Sequence, residues 1–372
     1  MFYYYYIVLM KVYIYNLEEL DSILKENVLN IPPEMDLFNL FYFQLKNFYS
    51  IVSNIEEADV AFIPIDYVKL IYVNNKQIFK SLPKNLPLKP PPFGSKYKKD
   101  IIDFFWKTYV KKHIKNKPIP HFILYSYVLF EIDFDNIPEN VYIISYEKNI
   151  TYVNTLNVSS SNVFNRIVQI PYILNQNKLF NQTKIENYYF ESKTINEILF
   201  EKKHDVAFFG SINKRTENLY KYREFLLHFN QKNNFNYING KGHEAERLLK
   251  SIKYLFVLRG DTPTRVCFYQ CFAFGVCPII YEYDFLESYS HLLLPNDINL
   301  LDSVLIIPNN VNNLDSQSYC NLIENVLEIE LSNELNYRNK IKNHKTIFDN
   351  FNYFNDTLSK PIKNVLEHLH NK

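Results

Sequence analysis

Short apolar segments rich in β-branched and aromatic residues alternate with longer stretches of helical periodicity along most of this 372-residue chain. Strands that alternate with helices are joined by crossover connections, and crossovers produce parallel sheets. The alternation therefore predicts an α/β fold with doubly wound parallel sheets. The predicted strands are KVYIYNL, ADVAFIPIDY, HFILYSYVLF, NVYIISY, HDVAFFGS, YLFVLRG, CPIIY and SVLIIP; the predicted helices lie at about 34–52, 103–117, 216–229, 243–252, 265–274 and 357–370.

The length of the chain is sufficient for two α/β domains, each with its own core. A polar, Asn-rich stretch at residues 172–195 is the natural boundary between them. We therefore predict an N-terminal domain over residues 1–172 and a second domain over residues 196–350. Residues 351–372 are expected to form a helix that returns to the first domain.

The charge and composition exclude several classes of protein. A formal net charge of +1 provides no global field toward nucleic acid or anionic membrane, so any phosphate recognition has to be local. A hydrophobic content of 47% argues against disorder. The apolar segment at the N-terminus is too short to span a bilayer, and we expect a buried strand there. A cytoplasmic location is expected, with the Golgi or endoplasmic reticulum lumen as the alternative.

Four cysteines and six glycines carry different information. Cys267 and Cys271 are four residues apart on a predicted helix and have no further ligands at zinc spacing, so buried free thiols are expected and no metal site is predicted. Glycine is scarce compared with roughly 7% in average proteins. Loops that approach a ligand, or tight turns, explain why five of them occur in the second half: Gly210, Gly240, Gly242, Gly260 and Gly275.

The segment YLFVLRGDTPTRVCFYQCFAFGVCPIIY concentrates the chemistry. A buried strand runs to Gly260, a polar turn follows with Asp261, Thr262 and Thr264, and Arg265 opens a helix. Ligands of open α/β sheets bind beyond the carboxyl ends of strands. A helix N-terminus at that edge suits an anionic diphosphate, and an arginine adds a planar fork for two phosphate oxygens. The alternative is a helix cap followed by a surface arginine.

This segment resembles the signature of the exostosin-type glycosyltransferases, glycosyltransferase family 47, in which GD-x-x-(S/T)-R precedes a helix and a "GCIPV" strand. Other stretches resemble the family in the family's order, from residue 11 to about residue 310: KVYIYNL, EEADVAFIPIDY, RIVQIPYIL, and DVAFFGSINKR followed by Arg223. The matching signature residues are Gly260, Asp261, Thr264, Arg265, Gly275 and Pro278.

The resemblance implies a GT-B fold, with two Rossmann-like domains facing each other across a cleft and the donor held mainly by the second. It also implies inverting transfer of a sugar from a nucleotide-diphosphate donor, usually UDP-linked, to a glycan or glycoconjugate hydroxyl. The donor is a substrate, so no cofactor is expected. Arg265 would stabilise the leaving group. The residues implied in donor binding are Gly210, Lys214, Arg215, Arg223, Gly260, Asp261, Thr262, Thr264, Arg265 and Gln270, with a solvent-facing position inside a helix as the alternative for Arg223.

Two departures from the family pattern stand out. Gln270 replaces a usual acidic residue that is expected to face the donor ribose, although an amide still bonds hydroxyls. The motif for the base that accepts the acceptor's proton is incomplete, which leaves Glu131, His121 and Asp66 as candidates. A catalytically silent relative that binds a nucleotide sugar or a partner glycosyltransferase is therefore the alternative function. A nucleotide-binding enzyme of another α/β class is disfavoured because the chain has no GK(S/T) or GxGxxG motif.

Overall fold

The chain forms two compact units, one made of residues 1–170 with 355–372 and the other of residues 171–354. The computed structural model describes residues 10–17, 37–65, 107, 111, 114, 117–125, 137–146, 148, 164–171, 193–210, 223–229, 237–240, 248–259, 265–308, 315–351 and 359–372. Most of the predicted helix at 103–117 and the start of the predicted helix at 216–229 lie outside these residues.

The first unit contains a parallel sheet of six strands in the order β2-β1-β3-β4-β5-β6. One helix, α1 (Leu37–Phe48), lies between the first two strands in sequence. The strands are β1 (Lys11–Ile14), β2 (Ser50–Val52), β3 (Val60–Phe62), β4 (His121–Tyr125), β5 (Val141–Ser145) and β6 (Ile167–Gln169).

Strand β2 corrects the sequence prediction, which continued the preceding helix to residue 52. The helix ends at Phe48, and Ser50 to Val52 pair in parallel with Lys11 to Tyr13 of β1. Two of these three residues, Ile51 and Val52, are β-branched and favour a strand once a partner edge is available. The pairing partner lies almost forty residues away, so helical periodicity alone did not indicate it.

The second unit contains a parallel sheet of five strands in the order β11-β10-β9-β7-β8. Its strands are β7 (His204–Phe209), β8 (Tyr237–Gly240), β9 (Ile252–Phe256), β10 (Cys277–Tyr281) and β11 (Leu305–Ile307). The helices of this unit, in chain order, are α2 (Ile195–Glu201), α3 (Phe225–Phe229), α4 (Val266–Ala273), α5 (Glu282–Ser288), α6 (Ser316–Leu331), α7 (Glu334–Lys342) and α8 (His344–Phe351). The last helix of the chain, α9 (Lys360–His370), belongs to the first unit.

The prediction around β9 was shifted along the chain. Ile252 and Lys253, of which Ile252 was expected in a helix, belong to the strand, and the strand ends at Phe256 rather than at Gly260. Residues 257–259 then continue without a regular element. The two all-parallel sheets confirm the predicted α/β class with two Rossmann-like domains.

Both faces of the second sheet are covered, because alternate residues of β7 enter two different cores. Ala207 and Phe209 belong to a cluster with α4 and α8, whereas Val206 and Phe208 belong to a cluster with α3, α6 and α7. Burial on both faces is typical of a parallel sheet and explains the nearly continuous apolar strands in the sequence.

The last helix, α9, packs against the first unit although it ends the chain. Ile362, Val365, Leu366 and Leu369 are fully buried, and α9 contacts β3. Just before the helix, the Ser359 N–H donates to the Gln44 Oε1 of α1 at 3.2 Å. Among the helices that the structure describes, none combines the length and hydropathy needed to cross a membrane.

Candidate functional site

The carboxyl ends of β7 and β9 are the natural ligand-binding edge of the second unit. In chain order its strands follow the 2-1-3-4-5 arrangement, so the direction of winding reverses between β7 and β9. The loops on either side of such a reversal diverge and leave a crevice, which is where ligands of doubly wound sheets bind. Gly210 directly follows β7, and Arg259 lies three residues beyond β9.

Arg265 stands at the start of α4 as predicted, in the capping position with extended backbone angles (φ −136°, ψ 134°). Its backbone N–H donates to the hydroxyl of Tyr289 at 2.9 Å. The Tyr289 ring is fully buried and stacks on Phe268 of α4, with ring centroids 3.9 Å apart. The start of the helix is therefore held in place by a packed aromatic pair.

The Arg265 side chain is half-buried and lies beside the thiol of Cys267. Burial raises the pKa of the Cys267 thiol, and the neighbouring guanidinium opposes that rise. A neutral thiol beside a permanent cation does not neutralise its charge. Cys267 therefore leaves the positive charge of Arg265 uncompensated.

Arg259 lies at the other end of residues 260–264, and its side chain is close to α5. Its Nη1 is 3.7 Å from Oδ1 of Asp284, whose side chain is only 1% exposed. Burial raises the pKa of the Asp284 carboxyl to about 6, Arg259 opposes this rise, and Glu287 adds to it. Both ends of the loop between β9 and α4 are therefore tied to residues 284–289.

Arg223 does not occupy the solvent-facing position inside a helix that was the alternative to donor binding. It lies in a turn immediately before α3, not inside the helix, and it is buried rather than solvent-facing. Its Nη2 donates to the carbonyl oxygen of Arg259 at 2.5 Å, and its guanidinium carbon lies 5.5 Å from the ring centroid of Phe208. The carbonyl and the aromatic face compensate the burial of the charge, and they place Arg223 beside the β9 loop.

Two glycines of the second half have distinct structural reasons. At Gly210 an added Cβ would lie 2.8 Å from Cζ of Phe208, so a side chain would displace the ring on which Arg223 rests. Gly275 has a φ of 60° and terminates α4, and Val276 N–H bonds back to the Cys271 carbonyl oxygen at 2.9 Å. Gly275 thus serves helix termination, which agrees with the tight-turn alternative given for these glycines.

Gln270 lies in the second turn of α4 and is half-exposed between buried neighbours. The remaining predicted donor-site residues lie outside the described residues, as do two candidates for the base. These residues are Lys214, Arg215, Gly260, Asp261, Thr262 and Thr264 for the donor, and Asp66 and Glu131 for the base. Their roles remain predictions.

His121, the third candidate for the base, is enclosed by its own unit. It is fully buried at the amino end of β4. Its Nδ1 lies 2.9 Å from the Ile119 carbonyl oxygen and 3.1 Å from Nδ2 of Asn140, and its Nε2 lies 2.8 Å from the Tyr15 hydroxyl oxygen. Burial lowers its pKa, an effect that the Ile119 bond opposes. Both nitrogens have partners within the first unit. The role of His121 as the base stays a prediction.

The four cysteines are free thiols. Three of them, Cys271, Cys277 and Cys320, are buried as expected, whereas Cys267 is half-buried. Within the described ranges, no group of three or more His, Cys, Asp or Glu side chains is arranged to hold a metal ion.

Sequence reasoning missed Arg259, Asp284 and Tyr289. Arg259 and Asp284 each had a signal, because Arg259 directly precedes the glycine of the signature and Asp284 follows the end of the CPIIY strand by three residues. Polar side chains just beyond parallel strands are candidates for ligand contacts. Tyr289 had no such signal, since its contact with Arg265 depends on how α5 packs against α4.

No protein-family model matches the sequence, and no curated protein matches it. Solved structures of glycosyltransferases share an overall resemblance with the chain. WaaG, involved in lipopolysaccharide biosynthesis, aligns with a TM-score of 0.38 and 8% identity, covering 97% of this chain and 99% of its own. HepE from Anabaena, in complex with UDP and glucose, aligns with a TM-score of 0.40 and 8% identity, covering 98% and 100%. A glycosyltransferase from Rickettsia africae aligns with a TM-score of 0.40 and 9% identity, covering 98% of each chain. These TM-scores and identities are too low to transfer a function from one protein to another.

Proposed function

We propose that this chain is an inverting glycosyltransferase of the exostosin type, which moves a sugar from a nucleotide-diphosphate donor, UDP-linked in the first instance, to a glycan hydroxyl. The observation that carries the proposal is the position of Arg265. It opens the helix that follows the central strand β9, at the carboxyl edge beside the reversal of winding, with its backbone held by Tyr289.

The chemistry of the leaving group explains why such a position matters. When the acceptor oxygen attacks the anomeric carbon, the bond from that carbon to the diphosphate oxygen breaks and its electron pair stays with the diphosphate. Negative charge therefore grows on the leaving group in the transition state. A fixed guanidinium at a helix N-terminus lowers the barrier without reorganising at the moment of reaction.

The second unit would hold the donor, and the first unit the acceptor. Arg223 and Arg259 would add positive charge at the same edge, since Arg223 bonds to the backbone of Arg259. The proton of the acceptor hydroxyl has to leave to a base as the new bond forms. Asp66, Glu131 and His121 are the candidates for this role.

An activity assay with matched arginine variants tests the proposal. Release of UDP is measured with UDP-glucose, UDP-galactose, UDP-N-acetylglucosamine, UDP-glucuronate and UDP-xylose, with and without a panel of oligosaccharide acceptors. Arg265→Ala is expected to lower turnover by about 10²- to 10³-fold, as loss of one preorganised charge-stabilising donor does. Arg265→Lys should rescue it in part, because a lysine retains the charge but not the fork.

Arg338→Ala provides the control. Arg338 is partly exposed on α7, where it bonds to Glu334 and Asn196. The turnover of the Arg338→Ala variant should equal that of the unmodified chain. Full activity in a folded Arg265→Ala protein would contradict the proposal. Binding of UDP-sugars without turnover on any acceptor would favour the silent, nucleotide-sugar-binding alternative.

A further inference from the structure

Asp284 is a buried carboxylate that accepts no hydrogen bond within the part of the chain that the structure describes. Its side chain is 1% exposed, and among the described residues neither Oδ1 nor Oδ2 has a hydrogen-bond partner. The opposite charge beside it belongs to Arg259, whose Nη1 lies 3.7 Å from Oδ1, which is too long for a charge-assisted hydrogen bond of about 2.7–2.9 Å. Buried carboxylates normally accept several hydrogen bonds, and one that does not requires a specific explanation.

The place of Asp284 in the fold indicates what it could bind. It lies in the first turn of α5, three residues beyond β10, and β10 pairs with β9 in the sheet. Asp284 is thus at the carboxyl edge of the sheet, on the strand next to the one that leads to Arg259 and Arg265. In doubly wound nucleotide-binding folds, an acidic residue near a strand end accepts hydrogen bonds from sugar hydroxyls, while cations and helix N-termini bind phosphates.

The contacts of Arg259 agree with a site in which cations bind the phosphates and a carboxylate binds hydroxyls. Its backbone oxygen accepts from Arg223, and its side chain lies beside Asp284. The same residue therefore links the cationic part of the edge to the carboxylate. A nucleotide sugar carries phosphates and vicinal hydroxyls at adjacent positions, which matches cations and a carboxylate placed side by side.

We propose that Asp284 is a hydroxyl-binding residue of the donor site, whose carboxylate accepts hydrogen bonds from a hydroxyl pair of the nucleotide sugar. This inference rests on the proposed function, since it assigns a residue to the same donor site. The hydroxyls belong either to the ribose or to the transferred sugar, and both sources present the same chemistry to the carboxylate. Arg259 balances its charge and positions it.

Binding measurements with matched ligands test the assignment. Dissociation constants are measured by calorimetry for UDP, 2′-deoxy-UDP, 3′-deoxy-UDP and UDP-glucose on the unmodified chain, Asp284→Asn and Asp284→Leu. The leucine variant removes all hydrogen bonding at similar size, whereas the asparagine variant keeps an acceptor and loses the charge. Glu282→Gln is the control, because Glu282 is exposed in the same turn of α5.

The expected result is a loss of discrimination that depends on the ligand. The unmodified chain should bind UDP roughly 10- to 100-fold more tightly than a deoxy analogue, and Asp284→Leu should bind both alike. If the transferred sugar is the source, the same pattern appears between UDP-glucose and UDP. Asp284→Asn should be intermediate, and Glu282→Gln should keep the discrimination.

Two outcomes overturn the inference, and they differ. If Asp284→Leu keeps its fold by circular dichroism and weakens all four ligands equally, Asp284 has a structural role only, and the proposed function stands. If the unmodified chain binds none of these nucleotides, nor the GDP and ADP counterparts, the proposed function fails and the assignment of Asp284 fails with it.

Discussion

Single side chains at the carboxyl edge of the second sheet concentrate a positive charge that the chain as a whole lacks. The formal net charge is only +1, yet Arg223 bonds to the backbone of Arg259, and Arg259 and Arg265 are the described residues on either side of residues 260–264. The aromatic face of Phe208 and the hydroxyl of Tyr289 hold two of them in place. Local charge fixed by packing has the selectivity for an anion that a global field does not provide.

At the residue scale, Asp284 has a predictable effect on the pH dependence of stability. Burial raises its pKa from 3.8 to about 6, so the native state binds this proton more tightly than the unfolded chain does. Stability contributed by this group is therefore present at low pH and decreases as the pH rises through 6. Arg259 reduces the effect and Glu287 increases it.

Asp284→Asn removes this titration, and we expect the variant to be more stable than the unmodified chain at pH 7.5 by roughly 3 kcal/mol, from 1.36 kcal/mol per pKa unit. The gain should shrink as the pH falls from 6 toward 4. Urea unfolding at several pH values, with Glu282→Gln as the matched exposed control, measures it. A gain that does not change with pH would show that ionisation of Asp284 is not responsible.

Among the elements, α4 is held at both ends by contacts from other parts of its unit. Its start is fixed by the bond from Arg265 N–H to Tyr289, and its end by Gly275, whose carbonyl oxygen accepts from the Tyr337 hydroxyl at 2.8 Å. The helix has eight residues, too few for stability on its own. Tertiary contacts at its termini therefore decide where Arg265 lies.

The end of α4 leads to a prediction at the element scale. Gly275→Ala places a Cβ on a residue with a φ of 60° and should destabilise the protein by about 1–2 kcal/mol. Gly275→Asn should cost less, because asparagine tolerates the left-handed region. The measurement is the free energy of unfolding from urea titrations in which the variants and the unmodified chain have the same m-value. Equal destabilisation by the two variants would contradict a backbone origin of the effect.

For the whole molecule, the chain contributes its C-terminal helix to the first of its two compact units. Helix α9 buries one complete face against that unit, whereas α8, the helix before it, packs in the core of the second. The polypeptide therefore leaves the second unit before it ends. Integrity of the first unit depends on residues that follow the last strand of its sheet by more than 190 positions.

The fully buried Leu366 of α9 provides the test at the scale of the whole molecule. Leu366→Ala should destabilise by about 2–5 kcal/mol, as core leucine truncations do. Hydrogen exchange should accelerate in β3 and β4 of the first unit and remain unchanged in β9 and β10 of the second. Lys363→Ala, on the exposed face of the same helix, should change neither. Uniform acceleration in both units would contradict the assignment of α9 to the first.

Individual strands and helices were predictable from the sequence, because periodicity and turn chemistry are properties of neighbouring residues. The strands HFILY, VYIIS and CPIIY, the helix that begins after Arg265, and the parallel α/β class were all predicted and confirmed. The placement of Arg265 between a central strand and a helix followed from one segment of sequence.

Contacts between distant segments were decided only by the tertiary structure. Residues 50–52 form a strand because they pair with β1. The position of the Arg223 side chain depends on its hydrogen bond to a carbonyl 36 positions away. The ion pair of Asp284 depends on the side chain of Arg259. The sequence identified the residues that bring charge to this protein. Packing decided which of the described charges are buried and which are compensated, because the free energy of a charge depends on all atoms around it and not only on its neighbours in the chain.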